Sequence, residues 1–364
     1  MRIAIDATPL TVESGGITRY TAELASALAA EFPEDEYWLV SDQEWKDGPA
    51  AQNLHRGGRP GSWVARRWWL AGLPLELARR HVDVFHGTDF AVPYLPLRPS
   101  VLTLHDLSPW AEGQRRTGAA ERVRRRTPYL LRRATMIITP TEAIRREAAR
   151  YFELPLARMA AVPLAAGWQF RPCPEAETAA ALARLGITIP YLLCIGTKER
   201  RKNLPRLIET WREVRKRQPQ LGLVLAGRAC AEESQVLNLS TEPGLSILGF
   251  LPDQDIATLM SGAALFVYPS LYEGFGLPVL EAMQTGTPVV ISRDAALLEV
   301  AGDAAAAVDA ESSAAMARAI VELMENPARR LELRERGLRR AAQFSWRQTA
   351  ATTREIYVEA LRRF

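Results

Sequence analysis

Cysteine and lysine are both scarce in this chain of 364 residues, and the two shortages exclude different things. The three cysteines, Cys173, Cys194 and Cys230, are an odd, unclustered set without metal-ligand spacing, so neither a disulfide scaffold nor a cysteine-rich zinc site is expected. Each reads as a small buried side chain rather than a nucleophile, and a reducing compartment fits best. Lysine occurs only at Lys46, Lys198, Lys202 and Lys216, although lysine and arginine together number 46. No run approaches the roughly 18 apolar residues of a membrane span. The opening MRIAIDATPL alternates like a strand and lacks the long apolar core of a secretory signal, so a cytoplasmic location is expected. The sequon at Asn238-Leu239-Ser240 is then expected to stay unmodified. No G-x-G-x-x-G occurs, which counts against a nicotinamide dehydrogenase.

What is present is the composition of a soluble enzyme: 48% hydrophobic, 24% charged, mean hydropathy −0.11. A chain of this length exceeds what one hydrophobic core serves, so two domains are expected. Short apolar runs alternate with amphipathic stretches. RIAID, VDVFH, VLTLH and MIIT read as strands in the first half, with helices over 17–30, 121–133 and 142–151. In the second half YLLCIG, LGLVLAG, SILGF, LFVYPS and PVVIS read as strands, with helices beginning near Leu204, Asp253 and Pro278. Nearly all-apolar strands alternating with helices predict parallel sheets covered on both faces, in two doubly wound α/β domains. AVPLAAGWQFRPCP interrupts the alternation, which places the join near Pro163–Pro172; the chain from Ser312 onward reads as helical.

Charge is unevenly placed. Between Ala111 and Arg150 eleven arginines face four glutamates, in a chain whose formal charge is only +4. That segment suits an anionic partner, or is simply a solvated helical face. Arg66-Arg67-Trp68-Trp69 combines charge with aromatics suited to a membrane interface, and core packing would explain the tryptophans equally well.

In open parallel sheets ligands bind beyond the carboxyl ends of the strands, so the strand-exit turns matter most. Gly15 and Gly16 precede a helix whose free N–H groups would face an anion, though a tight turn alone would also explain them. His105-Asp106 ends a buried-strand pattern, where a side chain would reach a ligand. GTKERRKN crowds Lys198, Arg200, Arg201 and Lys202 into one turn; lysine kept here, in so arginine-rich a chain, suits a phosphate. In LYEGFGLPVLEAM, Pro278 suits a first helical position, and free N–H groups near Leu277–Val279 would meet a diphosphate. Glu273 and Glu281 flank that turn and can accept hydroxyl hydrogen bonds. Asp253-Gln254-Asp255 is a D-x-D; it reads as a helix start with Asp253 as N-cap, not as a metal site.

The order of GGITRY, LTLHD, GTKERRKN, LVLAG, LGFLPDQD and YPSLYEGFGLPVLEAMQTGTPVV resembles the retaining glycosyltransferases of family 4 along nearly the whole chain. The resemblance implies the GT-B architecture: two Rossmann-like domains facing across a cleft. It divides the chain into an acceptor-binding domain over 1–168, a nucleotide-sugar domain over 169–345 and a helix over 346–364 returning toward the first domain. It implies that Glu273 and the backbone of Gly274, Phe275 and Gly276 hold the donor sugar, with Leu277 also at the donor and Glu281 on the ribose. Arg201 and Lys202 would neutralise the diphosphate, with Gly196 and Thr197 beside them. Thr197 stands where many relatives carry the first basic residue, so the basic contact passes to Arg201 with Lys202. Gly15 and Gly16 would lie near the phosphates, His105 near the transferred sugar, and Arg228, Phe250 and Leu251 near the base. No essential metal or other cofactor is implied. The partners implied are a nucleotide-sugar donor and a glycan or lipid-linked acceptor, with contact to an anionic membrane at its inner face and no nucleic acid. GGITRY with GTKERRKN is most similar to bacterial mannosyl- and rhamnosyl-type transferases of surface polysaccharide assembly, which favours GDP-mannose.

Three other classes share parts of this pattern. A glycosidase would need the two carboxylates but not the basic turn. An exported sugar-binding protein would carry a signal peptide. A sugar-nucleotide epimerase or hydrolase of the same two-domain plan is the nearer rival, separable by assaying transfer to an added acceptor.

Overall fold

The computed structural model describes residues 1–12, 15–45, 48–57, 67–110, 118–196, 199–228 and 242–364, the side chains of 119 and 120 excepted. The chain divides into two compact units, Met1–Leu164 with Ser345–Phe364, and Ala165–Phe344. The first is built on seven parallel strands: β1 (Arg2–Asp6), β2 (Glu36–Val40), β3 (Leu54–Arg56), β4 (Val84–Gly87), β5 (Ser100–Thr103), β6 (Met136–Thr139) and β7 (Met159–Ala161). Their order is β3-β2-β1-β4-β5-β6-β7. The second unit contains β8 (Tyr191–Ile195), β9 (Gly222–Ala226), β10 (Leu245–Leu248), β11 (Leu265–Tyr268), β12 (Val289–Ser292) and β13 (Ala305–Val308), in the order β10-β9-β8-β11-β12-β13.

The central strands β4, β5, β6, β8, β9, β11 and β12 are buried along their whole length. Branched apolar residues on both faces leave them no stable alternative to a covered sheet. Strand order reverses between β1 and β4 in one sheet and between β8 and β11 in the other. At such a switch point adjacent crossovers leave in opposite directions and open a crevice at the carboxyl ends.

The helix Trp346–Arg363 packs within the first unit, chiefly against the helix Gly16–Glu31. Thr349 Oγ1 donates to Pro163 O at 2.7 Å, and Arg354 Nε donates to the buried Asp35 carboxylate at 2.6 Å. The expected boundary at 168 falls inside the second unit, because residues after Leu164 bond there: Gln284 Nε2 donates to Gly167 O at 3.0 Å. No helix among the described residues is long and apolar enough to cross a membrane. Trp68 is buried and Trp69 half-buried, while Arg66, Arg115 and Arg116 lie outside the described residues, as do Cys230 and the sequon. Cys194 is buried as expected, whereas Cys173 is half-exposed.

Two local expectations need correction. Asp253 is not an N-cap: Pro252 holds that position, and Asp253 Oδ2 instead accepts from Gln169 Nε2 at 2.7 Å. Asp255 Oδ1 accepts from Arg184 at 2.6 Å, so both carboxylates of the D-x-D serve packing. The helix of the LYEGFGLPVLEAM stretch spans Leu277–Gln284, one residue earlier than expected. Val279 N–H is committed to Gly276 O at 2.9 Å, and Pro278 has none, so of those three positions only the Leu277 amide remains as a helix-end donor.

Candidate functional site

In the second unit the basic turn after β8 meets the exit of β11. Gly196, at φ 150°, leaves room for a lysine stem: a Cβ built there would lie 3.4 Å from Lys202 Cε. Arg200–Lys202 form a single 3-10 turn, closed by Asn203 in the left-handed region at φ 58°. Asn203 is held there by its own amide, which donates to Ala310 O at 2.7 Å. Lys202 thereby points inward and is only 7% exposed.

Glu273 binds both cations. Lys202 Nζ lies 2.5 Å from its Oε1, and Arg201 Nη1 lies 2.8 Å from its Oε2. Ser270 Oγ donates to Oε1 at 2.5 Å, and Lys202 also donates to the Tyr268 hydroxyl. Burial alone would raise the Glu273 carboxyl, but Lys202 and Arg201, with the hydrogen bonds, hold it down at about 2. Burial pulls the Lys202 ammonium below its ordinary value, with Glu273 opposing. Glu199 Oε2 pairs with Arg201 Nε at 2.7 Å, so two carboxylates hold the two cations in place at the strand ends. An anion arriving there would meet donors already aimed and need displace none of the protein's folding contacts.

The Gly274-Phe275-Gly276 turn follows directly. Gly276, at φ 93°, is indispensable, since a Cβ there would lie 2.4 Å from Leu297 Cδ2. The Phe275 ring is buried edge-on against Phe344 at 6.0 Å, which leaves the turn's backbone, not this side chain, for a ligand. Glu281 sits one turn into the helix and is 3% exposed. At the exits of β9 and β10 the Arg228 guanidinium lies 5.1 Å over the exposed Phe250 ring, with Leu251 half-buried beside it. Thr197 lies outside the described residues.

Sequence reasoning missed three members of this cluster: Tyr268, Ser270 and Asp294. Asp294 caps the helix Ala295–Ala301, accepting from Ala296 and Leu297 N–H, and also receives the Glu273 backbone N–H. Burial lifts its carboxyl to about 6. Tyr268 and Ser270 lie in the quoted LFVYPS and could have been found from their place at its end. Asp294 belongs to another strand exit and carried no local signal.

In the first unit, Gly15 caps the helix Gly16–Glu31 and Gly16 faces open space, with nothing within 4 Å of a built Cβ. His105 follows β5, and its Nε2 lies 2.7 Å from Thr88 O. A carbonyl only accepts, so Nε2 carries a proton and donates it. Tyr20 packs edge-on to the ring at 4.9 Å. Asp106 is spent on its own turn, accepting from Ser108 N and Oγ. Beneath His105 runs a buried relay that sequence reasoning did not foresee. The Tyr357 hydroxyl meets His86 Nδ1 at 2.7 Å, His86 Nε2 meets Thr103 Oγ1 at 2.8 Å, and Thr103 meets the Tyr20 hydroxyl at 2.9 Å. Burial, aided by His105, pushes the His86 imidazole down to about 3, so it is neutral.

Residues 14–165 match the family model described as Glycosyltransferase Family 4, and residues 185–340 match Glycosyl transferases group 1. The chain is 32% identical over 384 residues to the O-antigen chain mannosyltransferase B of Escherichia coli, covering 98% of this chain and 99% of that one. Among solved structures, the sucrose-phosphate synthase of Thermosynechococcus elongatus superposes with a TM-score of 0.76 at 20% identity, covering 99% of this chain and 98% of that one. Alr3699/HepE of Anabaena, in complex with UDP and glucose, superposes with a TM-score of 0.73 at 19% identity, covering 99% and 100%.

Proposed function

Given that the chain belongs to the family 4 (group 1) glycosyltransferases, with their GT-B fold, we propose that it transfers mannose from GDP-mannose, with retention, to a glycan or lipid-linked acceptor. The pathway would be bacterial polysaccharide or glycolipid assembly at the inner face of the membrane. The observation that carries the donor reading is the buried Arg201–Lys202–Glu273 cluster at the β8/β11 switch point. The mannosyl preference is supported by the relative that matches end to end.

In this reading the leaving diphosphate gains negative charge in the transition state, and Arg201, Lys202 and the Leu277 amide stabilise it there. Glu273, already ionised, has lone pairs left for the transferred sugar's hydroxyls, supported by the Gly274–Gly276 backbone. Glu281 holds the ribose, and Arg228 with Phe250 and Leu251 takes the base. Gly196 and Thr197 line the phosphate turn, while Gly15–Gly16 and His105 are assigned to the phosphates and the transferred sugar. The departing phosphate oxygen takes the acceptor's proton in a front-face displacement, so no metal or other cofactor is required.

The test is direct. The protein is incubated with GDP-mannose, UDP-glucose or a dTDP-sugar and a mannoside acceptor, and the product's anomeric configuration is read by NMR. An α-linked mannoside formed in the presence of EDTA is expected. A β-anomer refutes retention, loss in EDTA restored by manganese refutes metal independence, and transfer only from another nucleotide sugar refutes the donor. Membrane contact fails if the protein does not co-sediment with anionic liposomes at low salt.

A further inference from the structure

One acid and one base in the first unit stand outside every role assigned above. Asp89 follows β4 in a loop wound so tightly that a Cβ on Gly87 would lie 1.6 Å from Ala91 O. Its neighbour Phe90 is held in the left-handed region at φ 54°, a strained conformation for a bulky residue. The loop is pinned on every side. Thr88 Oγ1 donates to Asp6 O at 2.8 Å, Phe90 N to Thr103 O at 3.3 Å, and Thr127 Oγ1 to Phe90 O at 3.4 Å.

So rigid a mount holds a carboxylate that does nothing for the fold. Asp89 is half-buried, and its oxygens take no hydrogen bond from the described residues. His105, Arg126, Asp106 and Asp6 are the charged or titratable groups within its electrostatic reach among the described residues. Arg126 Nε is buried without a hydrogen-bond partner among the described residues, and its guanidinium rests 5.9 Å from the Trp69 ring. Buried polar groups normally find partners, and leaving Arg126 Nε without one beside an unbonded carboxylate costs stability that a ligand would restore. Burial holds the Asp89 carboxyl above its ordinary range, with His105 and Arg126 opposing.

The surroundings say what kind of ligand. Phe90 packs 6.3 Å from the half-buried Trp110 and 6.0 Å from His105. A carboxylate and a guanidinium among half-exposed indoles match a pyranose, whose hydroxyls both donate and accept and whose C–H faces are apolar. A phosphate at this spot would be repelled by Asp89 and Asp106. We propose that Asp89 and Arg126 bind the hydroxyls of the acceptor's terminal sugar, Asp89 accepting and Arg126 donating. The inference rests on the glycosyl-transfer reading but not on the identity of the donor.

The probe is methyl α-D-mannopyranoside. Saturation-transfer NMR without donor should show it bound to the wild-type protein and not to Asp89→Asn or Arg126→Gln. In turnover with GDP-mannose both variants should raise the acceptor KM about 10-fold or more. Calorimetric affinity for GDP should stay at the wild-type value, and the melting temperature and near-UV circular dichroism should match the wild type, which a collapsed loop would not allow. An unchanged acceptor KM, acceptor and GDP affinities falling together, or a wild-type protein that does not bind the glycoside overturns the proposal. Asp89-dependent binding in a protein that turns over no GDP-mannose leaves the proposal standing and removes the donor reading instead.

Discussion

Each sheet gathers polar side chains at the carboxyl ends of the strands beside its switch point, and the two units satisfy them by opposite means. In the second, Glu273 pairs with Lys202 and Arg201, and Glu199 with Arg201, as ions. In the first, a neutral relay from Tyr357 through His86 and Thr103 to Tyr20 does the structural work, and Asp89 and Arg126 are left over. A charged diphosphate calls for cations fixed in advance, and only a buried counter-charge can fix them. An uncharged sugar calls for donors and acceptors not already spent.

Breaking the ionic side should have the largest effect. Glu273→Gln leaves the buried Lys202 without its carboxylate partner, and Arg201 with Glu199 alone, and should cost about 3–5 kcal/mol of stability in denaturant unfolding. A loss under about 1 kcal/mol would mean that water already solvates the pair. Because the folded carboxyl sits at about 2 against an ordinary 4.5, its contribution is complete above pH 4.5 and disappears as pH falls toward 2.

The division of labour within that cluster comes next. Lys202→Ala should lower kcat roughly 10²–10³-fold, since its charge is wanted most in the transition state. Glu281→Gln should mainly raise the donor KM, by about 10-fold. Equal, small effects in steady-state kinetics would remove the distinction.

On the neutral side the effect is read as a slope, and its pH window opens higher. His86 falls from 6.5 to about 3 on folding, so its contribution is intact above pH 6.5 and erodes as pH drops toward 3. The stability gap between wild type and His86→Gln should therefore shrink by about 1.4 kcal/mol per pH unit below 6.5. Asp6, which burial lifts to about 7, acts in the opposite sense but is common to both proteins. A gap independent of pH would show that the imidazole is solvated.

The sheet centres were legible because strands buried on both faces read as unbroken apolar runs. The edges were not. β3 and β7 have three residues each, and β13 is AAAV, half-exposed over most of its length, so none offers a periodic signal. Glu273, Arg201 and Lys202 were legible as residues of strand-exit turns, where backbone chemistry is local. That one carboxylate would hold both cations was not, because the bond joins β8 to β11 across two intervening strands in sequence. The helix start was placed one residue late for a local reason: Gly276 can take the left-handed cap, so Leu277, not Pro278, opens the helix.

By itself the sequence determined the alternation of strands and helices, the two-domain plan, and which turns are rich in glycine, acid and base. These depend on neighbours within a few residues, where burial periodicity and backbone preference decide. Only the tertiary structure decided which turns stand side by side: Lys202 with Glu273, His86 with Tyr357 at a separation of 271 residues, Asp89 with Arg126. Strand order sets those meetings, and strand order follows from how whole faces are buried, a property that no short stretch of chain contains.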